Sequence, residues 1–188
     1  MLERTRRIVR NSPGRLRRAG WRFRHGRDGS VAVEFALVAV PFIALLFAIF
    51  QTALVFFAGQ VFETAVADAA RLIMTGQAKA SNMTANAFRQ EICKRAVALA
   101  NCTGSVSVDV RTYADFASAQ PSPPPVKDGK VDTSSYGYQQ SNGGQIVLVR
   151  AVYPIPIYMD LLGLGLGDIS PGTHMLVATA AFRNEPFP

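Results

Sequence analysis

The chain contains few of the residues that carry most enzyme chemistry. Among its 188 residues there are two histidines, His25 and His174, and two cysteines, Cys93 and Cys102. A structural zinc site needs four nitrogen or sulfur ligands, and no such set occurs at recognisable spacing. The acidic residues of the C-terminal two thirds are dispersed, so no convergent set of acids, bases and nucleophiles is evident. The sequence therefore predicts no enzyme, no catalytic residues, no metal and no cofactor, with a site assembled from distant residues as the alternative.

Acidic residues are also scarce, with 13 against 20 lysines and arginines and a net charge of +7. The excess is confined to residues 1–29, where ten arginines stand against Glu3 and Asp28 and give a charge of +8. Subtracting this from +7 leaves −1 for the rest of the chain. A basic arm on a nearly neutral body favours an anionic membrane surface as its partner over nucleic acid. Nucleic-acid binding by the arm ranks last, because Trp21 and Phe23 alone interleave aromatic rings with the arginines.

No charged residue occurs from Phe35 to Phe62, a run of 28 residues. About 20 apolar residues cross the hydrocarbon core of a bilayer, so this run predicts one transmembrane helix. Its length of roughly 42 Å exceeds a core of about 30 Å, which predicts tilting or emergence, and Pro41 predicts a bend. A secretory signal peptide is the alternative, but its apolar core spans only about 7 to 15 residues.

The arginines predict the orientation of the span, because positive charge beside a membrane segment stays on the cytoplasmic side. Residues from about Glu63 onward are then expected outside the bacterial inner membrane, in the periplasm. That compartment is oxidising, which predicts a disulfide between Cys93 and Cys102.

One carboxylate, Glu34, lies directly against the apolar run, in the sequence Asp-Gly-Ser-Val-Ala-Val-Glu-Phe that ends at Phe35. A carboxylate at this depth needs water or a partner, since deeper burial costs several kcal/mol. A favourable first-turn carboxylate at the helix N-terminus is the ordinary interpretation. A functional one is suggested by the order of features: a basic leader, Gly29, then Glu34 and Phe35 at the head of an apolar helix.

With these residues the chain resembles type IV pilin precursors and, more closely, the TadE-like pseudopilins of the tight-adherence (Flp) pilus. The resemblance implies cleavage by a prepilin peptidase after Gly29, with Ser30 as the first mature residue, Glu34 the fifth and Phe35 the sixth. Many type IV pilins have phenylalanine where this chain has Ser30. An alanine-rich segment, 65–71, and the end Arg-Asn-Glu-Pro, 183–186, are also similar to TadE-like proteins.

Beyond the span, helical spacing of Val66, Ala69, Ala70 and Ile73 predicts that one long helix continues to near Gly76. A second helix is predicted from about Thr84 to Ala100, with Phe88, Ile92, Ala96 and Leu99 on its apolar face. Alternation at Val106, Val108 and Val110 predicts a half-buried strand. Gln145–Tyr153 and Met175–Phe182 predict further strands, each apolar enough on both faces to be central or covered.

Two irregular regions interrupt these elements. The proline- and glycine-rich stretch at about 117–144 is interpreted as a surface excursion rather than a PxxP docking ligand. Leu161–Gly167 alternates leucine with glycine, but it lacks the lysine and the strand-to-helix context of a phosphate-binding loop. We interpret it as a flexible apolar loop.

Together these features predict an α+β protein: a long N-terminal transmembrane helix, then a small periplasmic domain with one further helix on a short antiparallel sheet of about three strands. The predicted parts are a basic cytoplasmic leader (1–29), a membrane helix extending into the periplasm (30–78) and a periplasmic domain (79–188). The expected function is that of a pseudopilin or minor pilin, and an uncleaved inner-membrane adaptor is the alternative. Expected partners are a prepilin peptidase, other pilins or pseudopilins, pilus assembly proteins and the lipid bilayer.

Overall fold

A computed structural model describes residues 29–120, 124, 126–157 and 172–187. The chain divides into two compact units, one ending at Ile43 and the other running from Ala44 to Pro188. The arginine-rich leader up to Asp28 and the predicted loop Leu161–Gly167 lie outside the described residues.

A helix of 45 residues, α1, begins at Ser30 and ends at Met74. Gly76 follows in the left-handed conformation, with φ 77°, which glycine adopts without steric cost and which ends helices. This confirms a long helix ending near Gly76. The shorter helices are α2 Gln77–Ala80, α3 Ala85–Arg95 and α4 Cys102–Ser105.

Helix α3 starts where the sequence predicts, with the Thr84 hydroxyl accepting a hydrogen bond from the backbone N–H of Ala87. The predicted end at Ala100 is wrong, because the helix stops at Arg95. The Cys93–Cys102 disulfide brings two Cα atoms within 5.6 Å, whereas nine further residues of helix would separate them by about 13 Å. The chain must therefore leave the helix for the disulfide to close.

The strands form a three-stranded antiparallel sheet and a separate two-stranded hairpin. In the larger sheet β4 (Ile146–Pro156) lies between β1 (Ser107–Tyr113) and β5 (Thr173–Arg183). The predicted α+β fold with about three antiparallel strands is confirmed. The strands are β1 Ser107–Tyr113, β2 Val126–Lys127, β3 Lys130–Val131, β4 Ile146–Pro156 and β5 Thr173–Arg183.

One face of the large sheet shares a single apolar core with the outer part of α1 and with α3. Phe62 of α1 is fully buried and its ring lies 6.0 Å from that of Tyr153 in β4. The predicted apolar faces of α1 and α3 are buried, which confirms their helical periodicity. These faces comprise Val66, Ala69, Ala70 and Ile73 in α1, and Phe88 and Ile92 in α3 with Ala96 and Leu99 after it.

The strands differ from one another in how their second face is covered. β4 is buried on both faces from Val147 to Tyr153, as expected of a central strand. The prediction is wrong for β5, which is an edge strand whose alternate residues, including Val177 and Thr179, are exposed. The physical reason is position, since apolar content alone does not tell a central strand from an edge strand.

The proline- and glycine-rich stretch is more than a surface excursion, so that prediction is wrong in part. It contains the β2–β3 hairpin, and Tyr138 forms a bridge with Val110 at the free edge of β1. The Tyr138 ring also lies 5.8 Å from that of the buried Phe88. The Tyr138 ring therefore packs against the core although it belongs to a loop. The proline content of the stretch does not predict this contact.

Candidate functional site

The predicted processing segment lies at the start of α1. Ser30 is the first residue of the helix and directly follows Gly29. A Cβ atom added to Gly29 would meet no atom within 4 Å, and the residue is not in the left-handed conformation. The fold of this segment therefore does not require a glycine at position 29.

Glu34 lies one helical turn beyond Ser30, and both side chains are exposed. The Ser30 hydroxyl donates a hydrogen bond of 2.9 Å to Oε1 of Glu34. The first turn of α1 contains no acidic residue, because Glu34 is the fifth residue of the helix. Stabilisation by the helix dipole falls off within the first turn, so the ordinary interpretation of Glu34 accounts poorly for its position. Phe35 follows it and is 73% exposed.

From Val31 to Phe50 the large apolar side chains of α1 are exposed on every side of the helix, and Val55 is the first that packs against the core of the body. Exposure of this extent in water would be strongly unfavourable, so the surface needs an apolar surrounding. α1 is the helix in the described chain that is long and apolar enough to cross a membrane, and it lies near the N-terminus. These properties fit a single inner-membrane anchor.

The surroundings of α1 change at Ala58. From there to Ile73 the buried residues recur at helical spacing on one face, and that face packs in the core of the body. Cys93 and Cys102 form a disulfide, as predicted, between α3 and the first residue of α4. The Ala58–Ile73 part of α1 and the disulfide-linked segment therefore belong to the same packed unit.

A cluster of charges that the sequence did not predict lies on the second face of the sheet. Asp109 and Arg150 are direct cross-strand partners and both are buried. The Asp109 carboxylate accepts hydrogen bonds from Arg150 at 3.2 Å and from Arg111 at 3.0 Å. It also accepts a hydrogen bond of 3.0 Å from the backbone N–H of Gly137. Asp109 therefore fastens the loop after β3 to the sheet.

The same cluster shifts the protonation of its neighbours. The hydrogen bond to Asp109 and the attraction of its negative charge raise the pKa of the Arg111 guanidinium. The Tyr136 ring lies 5.3 Å from the Arg150 guanidinium. Burial raises the pKa of Tyr136 although the charge of Arg150 opposes the rise. No local pattern pairs these residues, because Asp109 and Arg150 are 41 positions apart and meet through strand pairing.

The C-terminal motif, residues 183–186, fastens the end of the chain to the body. The buried Asn184 side chain donates hydrogen bonds to the Ser141 hydroxyl and the Asn142 carbonyl oxygen, each at 2.8 Å. The backbone N–H of Glu185 donates to the carbonyl oxygen of Met74, the last residue of α1. The motif therefore has a structural role, because it satisfies a helix-terminal carbonyl that lacks an intrahelical partner.

The sequence predicts no metal site, and the structure can be compared with this prediction only over the residues that it describes. Within the described ranges, no group of three or more histidine, cysteine, aspartate or glutamate residues could hold a metal ion. His174 is half-buried in β5 and lines a cleft of about 340 Å³ with residues of α1 that include Phe56 and Glu63.

Comparison with known proteins gives one positive result. No curated protein and no solved structure matches the chain. Residues 29–71 match the family described as TadE-like protein. The matched range starts at Gly29 and ends three residues before the end of α1, and it does not include the C-terminal motif. The match confirms that this chain is similar, over residues 29–71, to the TadE-like family associated with the tight-adherence pilus.

Proposed function

We propose that the chain is a pseudopilin or minor pilin of a tight-adherence (Flp, type IV-like) pilus, cut by a prepilin peptidase between Gly29 and Ser30. The observation that carries the proposal is the glycine that the local fold does not need, at the first position of the TadE-like match. A residue type without a structural requirement, placed before an exposed Glu34-Phe35 pair, suits recognition by an enzyme. A structural, non-enzymatic role fits the same family.

Cleavage would change the charge at the head of the helix. Removing residues 1–29 takes away a charge of +8 and leaves a new α-amino group on Ser30. Glu34 in one subunit then neutralises the amine of a neighbouring subunit, so that a carboxylate that is costly in lipid sets the register between subunits. The exposed position of Glu34 supports this role, because its carboxylate is not enclosed by its own chain.

The proposed orientation places the leader in the cytoplasm and the body in the periplasm. The arginines of the leader support it by the positive-inside rule, and the disulfide suits an oxidising compartment. Proposed partners are the peptidase, other pilins or pseudopilins and pilus assembly proteins. The exposed apolar length of α1 supports lipid as the surroundings before assembly.

Coexpression with the matching prepilin peptidase tests the proposal. We expect N-terminal sequencing of the mature protein to start at Ser30, and we expect Gly29→Ala to remain at full length. Ala at position 29 meets no atom within 4 Å, so loss of cleavage would reflect recognition rather than misfolding.

Gly59→Ala is the matched control. Its added Cβ atom would lie 3.9 Å from Leu176, an ordinary contact, and the residue is also in α1. This variant should be cut like the unaltered chain. An intact N-terminus in the unaltered protein, with the peptidase active on another substrate and pilus function retained, would overturn the processing step and favour an uncleaved membrane-anchored adaptor.

A further inference from the structure

The segment between the two cysteines of the body forms a compact apolar tip. Its residues 96–101 connect α3 to α4, and the Cys93–Cys102 disulfide closes its base. Ala96 and Leu99 are buried, whereas Val97 and Ala98 between them are exposed. Val97 is 85% exposed, the highest value among the large apolar residues described.

The tip is fixed to the body by contacts on both sides of Val97 and Ala98. The Tyr153 hydroxyl donates a hydrogen bond of 2.7 Å to the carbonyl oxygen of Ala100, and the Tyr153 ring rests near Phe62 of α1. The backbone N–H of Leu99 donates to the carbonyl oxygen of Ala96. An apolar tip held in this way loses little conformational entropy when it meets a partner.

The position of the tip along α1 identifies the partner. Ala98, Leu99 and Ala100 line a cleft of about 300 Å³ together with five residues of α1: Gln51, Leu54, Val55, Phe57 and Ala58. Ile155 and Pro156 at the end of β4 complete its apolar wall. Twenty residues counted from the start of the apolar run at Phe35 reach Leu54, so about 30 Å of hydrocarbon ends near this level. The tip therefore lies beside the boundary between hydrocarbon and headgroups.

Charge lies farther along the helix from this boundary. Arg95 lines a groove with Gln60, Thr64 and Asp68, which are centred about 13 Å farther along α1 than the residues of the cleft. Lys94 beside it is exposed. Both pair with Glu91, and with Asp68 of the groove the four charges sum to zero. Apolar residues at the hydrocarbon edge, with charged residues of both signs one layer out, match the order of a membrane interface.

We propose that the tip, Val97 with Ala98, inserts into the bilayer interface as a second membrane contact of the body, beside the transmembrane helix. The exposed apolar residues of α1 extend to the cleft that borders the tip, which Gln51 also lines, so the lipid that surrounds Leu54 and Phe57 also reaches Ala98. The contact holds the body at one height against the membrane. The inference rests on the membrane-spanning helix of the proposed function and does not require cleavage at Gly29.

Tryptophan fluorescence of the full chain in lipid vesicles tests the proposal. The native Trp21 is replaced by Phe, and one tryptophan is then introduced as Val97→Trp. The vesicles contain phosphatidylcholine and phosphatidylglycerol, with or without bromine on the acyl chain near its ester end. We expect the emission maximum of the tryptophan at position 97 to lie at shorter wavelength in vesicles than in the protein unfolded by denaturant. We also expect brominated lipid to quench much of this emission.

Two further variants calibrate the measurement. Phe116→Trp replaces an exposed aromatic residue after the opposite end of β1 and should show no loss. Phe47→Trp lies inside the apolar run of α1. Its emission should be quenched in vesicles whose lipids carry bromine deep in the acyl chain. Circular dichroism and mapping of the disulfide establish that each variant is folded.

If bromination quenched the same fraction of the emission at positions 97 and 116, the proposal would be overturned. Emission at shorter wavelength at position 97 without bromine quenching would also overturn it, and would indicate burial against a second copy of the chain. If the tryptophan at position 47 were not quenched either, the result would contradict the transmembrane helix itself. Loss of quenching at position 97 alone leaves the processing proposal unaffected, because that proposal is read from the N-terminus.

Discussion

Two stretches of α1 differ in composition and in surroundings. The first, Val31–Phe57, has one charged residue, Glu34, whereas the second, Ala58–Ile73, has three, Glu63, Asp68 and Arg71. From Val31 to Phe50 the large side chains are exposed around the whole helix, whereas from Ala58 to Ile73 the apolar residues are buried on one face, with the half-buried Val55 at the start of the contact. The exposed stretch suits lipid as a solvent. The second stretch needs the sheet. Apolar content therefore indicates surroundings without water in both stretches. The periodicity of the apolar residues distinguishes lipid from protein as those surroundings.

The largest effect should come from truncating the same residue type in each stretch. Phe62→Ala removes a fully buried ring and its contact with Tyr153, so we expect a loss of about 3–5 kcal/mol in the free energy of unfolding of the body. Phe50→Ala removes a 62% exposed ring and should change that free energy little. Denaturant titration in detergent micelles, followed by near-ultraviolet circular dichroism, measures both. Equal losses would break the distinction between the stretches.

A smaller effect should follow from removing one buried charge of the body. Asp109→Asn leaves the Arg150 and Arg111 guanidinium groups without their carboxylate, and we expect a loss of about 3 kcal/mol. Hydrogen exchange should increase at Gly137, whose N–H is bonded to Asp109. Membrane retention should be unchanged, because this face of the sheet does not contribute to the exposed stretch of α1. Unchanged exchange at Gly137 would contradict the role assigned to Asp109.

The smallest of these effects concerns the disulfide. Replacing Cys93 and Cys102 together by Ser opens a short loop, for which a loss of roughly 2–3 kcal/mol is expected. In the same protein, quenching of the Val97→Trp tip by brominated lipid should become weaker, since its base is no longer closed. Mass mapping of periplasmic material without reductant should find the two cysteines linked in the unaltered chain. Free thiols at both positions would contradict the periplasmic orientation.

Local patterns predicted the elements well wherever one period persisted for several turns. The faces containing Val66 to Ile73 in α1 and Phe88 and Ile92 in α3 are buried as the spacing predicts. The alternation at Val108 and Val110 predicted β1, but the expected half-burial is wrong, since Asp109 between them is buried as well. Element ends were less well predicted, since α3 stops at Arg95 in favour of the disulfide.

The candidate site divides in the same way. The Gly29–Phe35 segment could be identified from the sequence because its residues are consecutive and stand at a fixed distance from the apolar run. The Asp109–Arg150 pair could not, because the residues are 41 positions apart and meet through strand register. The tip at Val97 required the position of the turn beside α1, which no local period encodes.

The sequence by itself determined the long apolar helix, the basic leader, the cysteine pair and the order of helices before strands. These features depend on residue type and on contacts a few positions apart, so composition and period suffice. The tertiary structure alone decided that β4 is central and β5 an edge, that the N–H of Glu185 bonds the end of α1 at Met74, and that Ala98 and Leu54 line one cleft. Each of these depends on which distant segments pack together, and burial of the shared core fixes that choice.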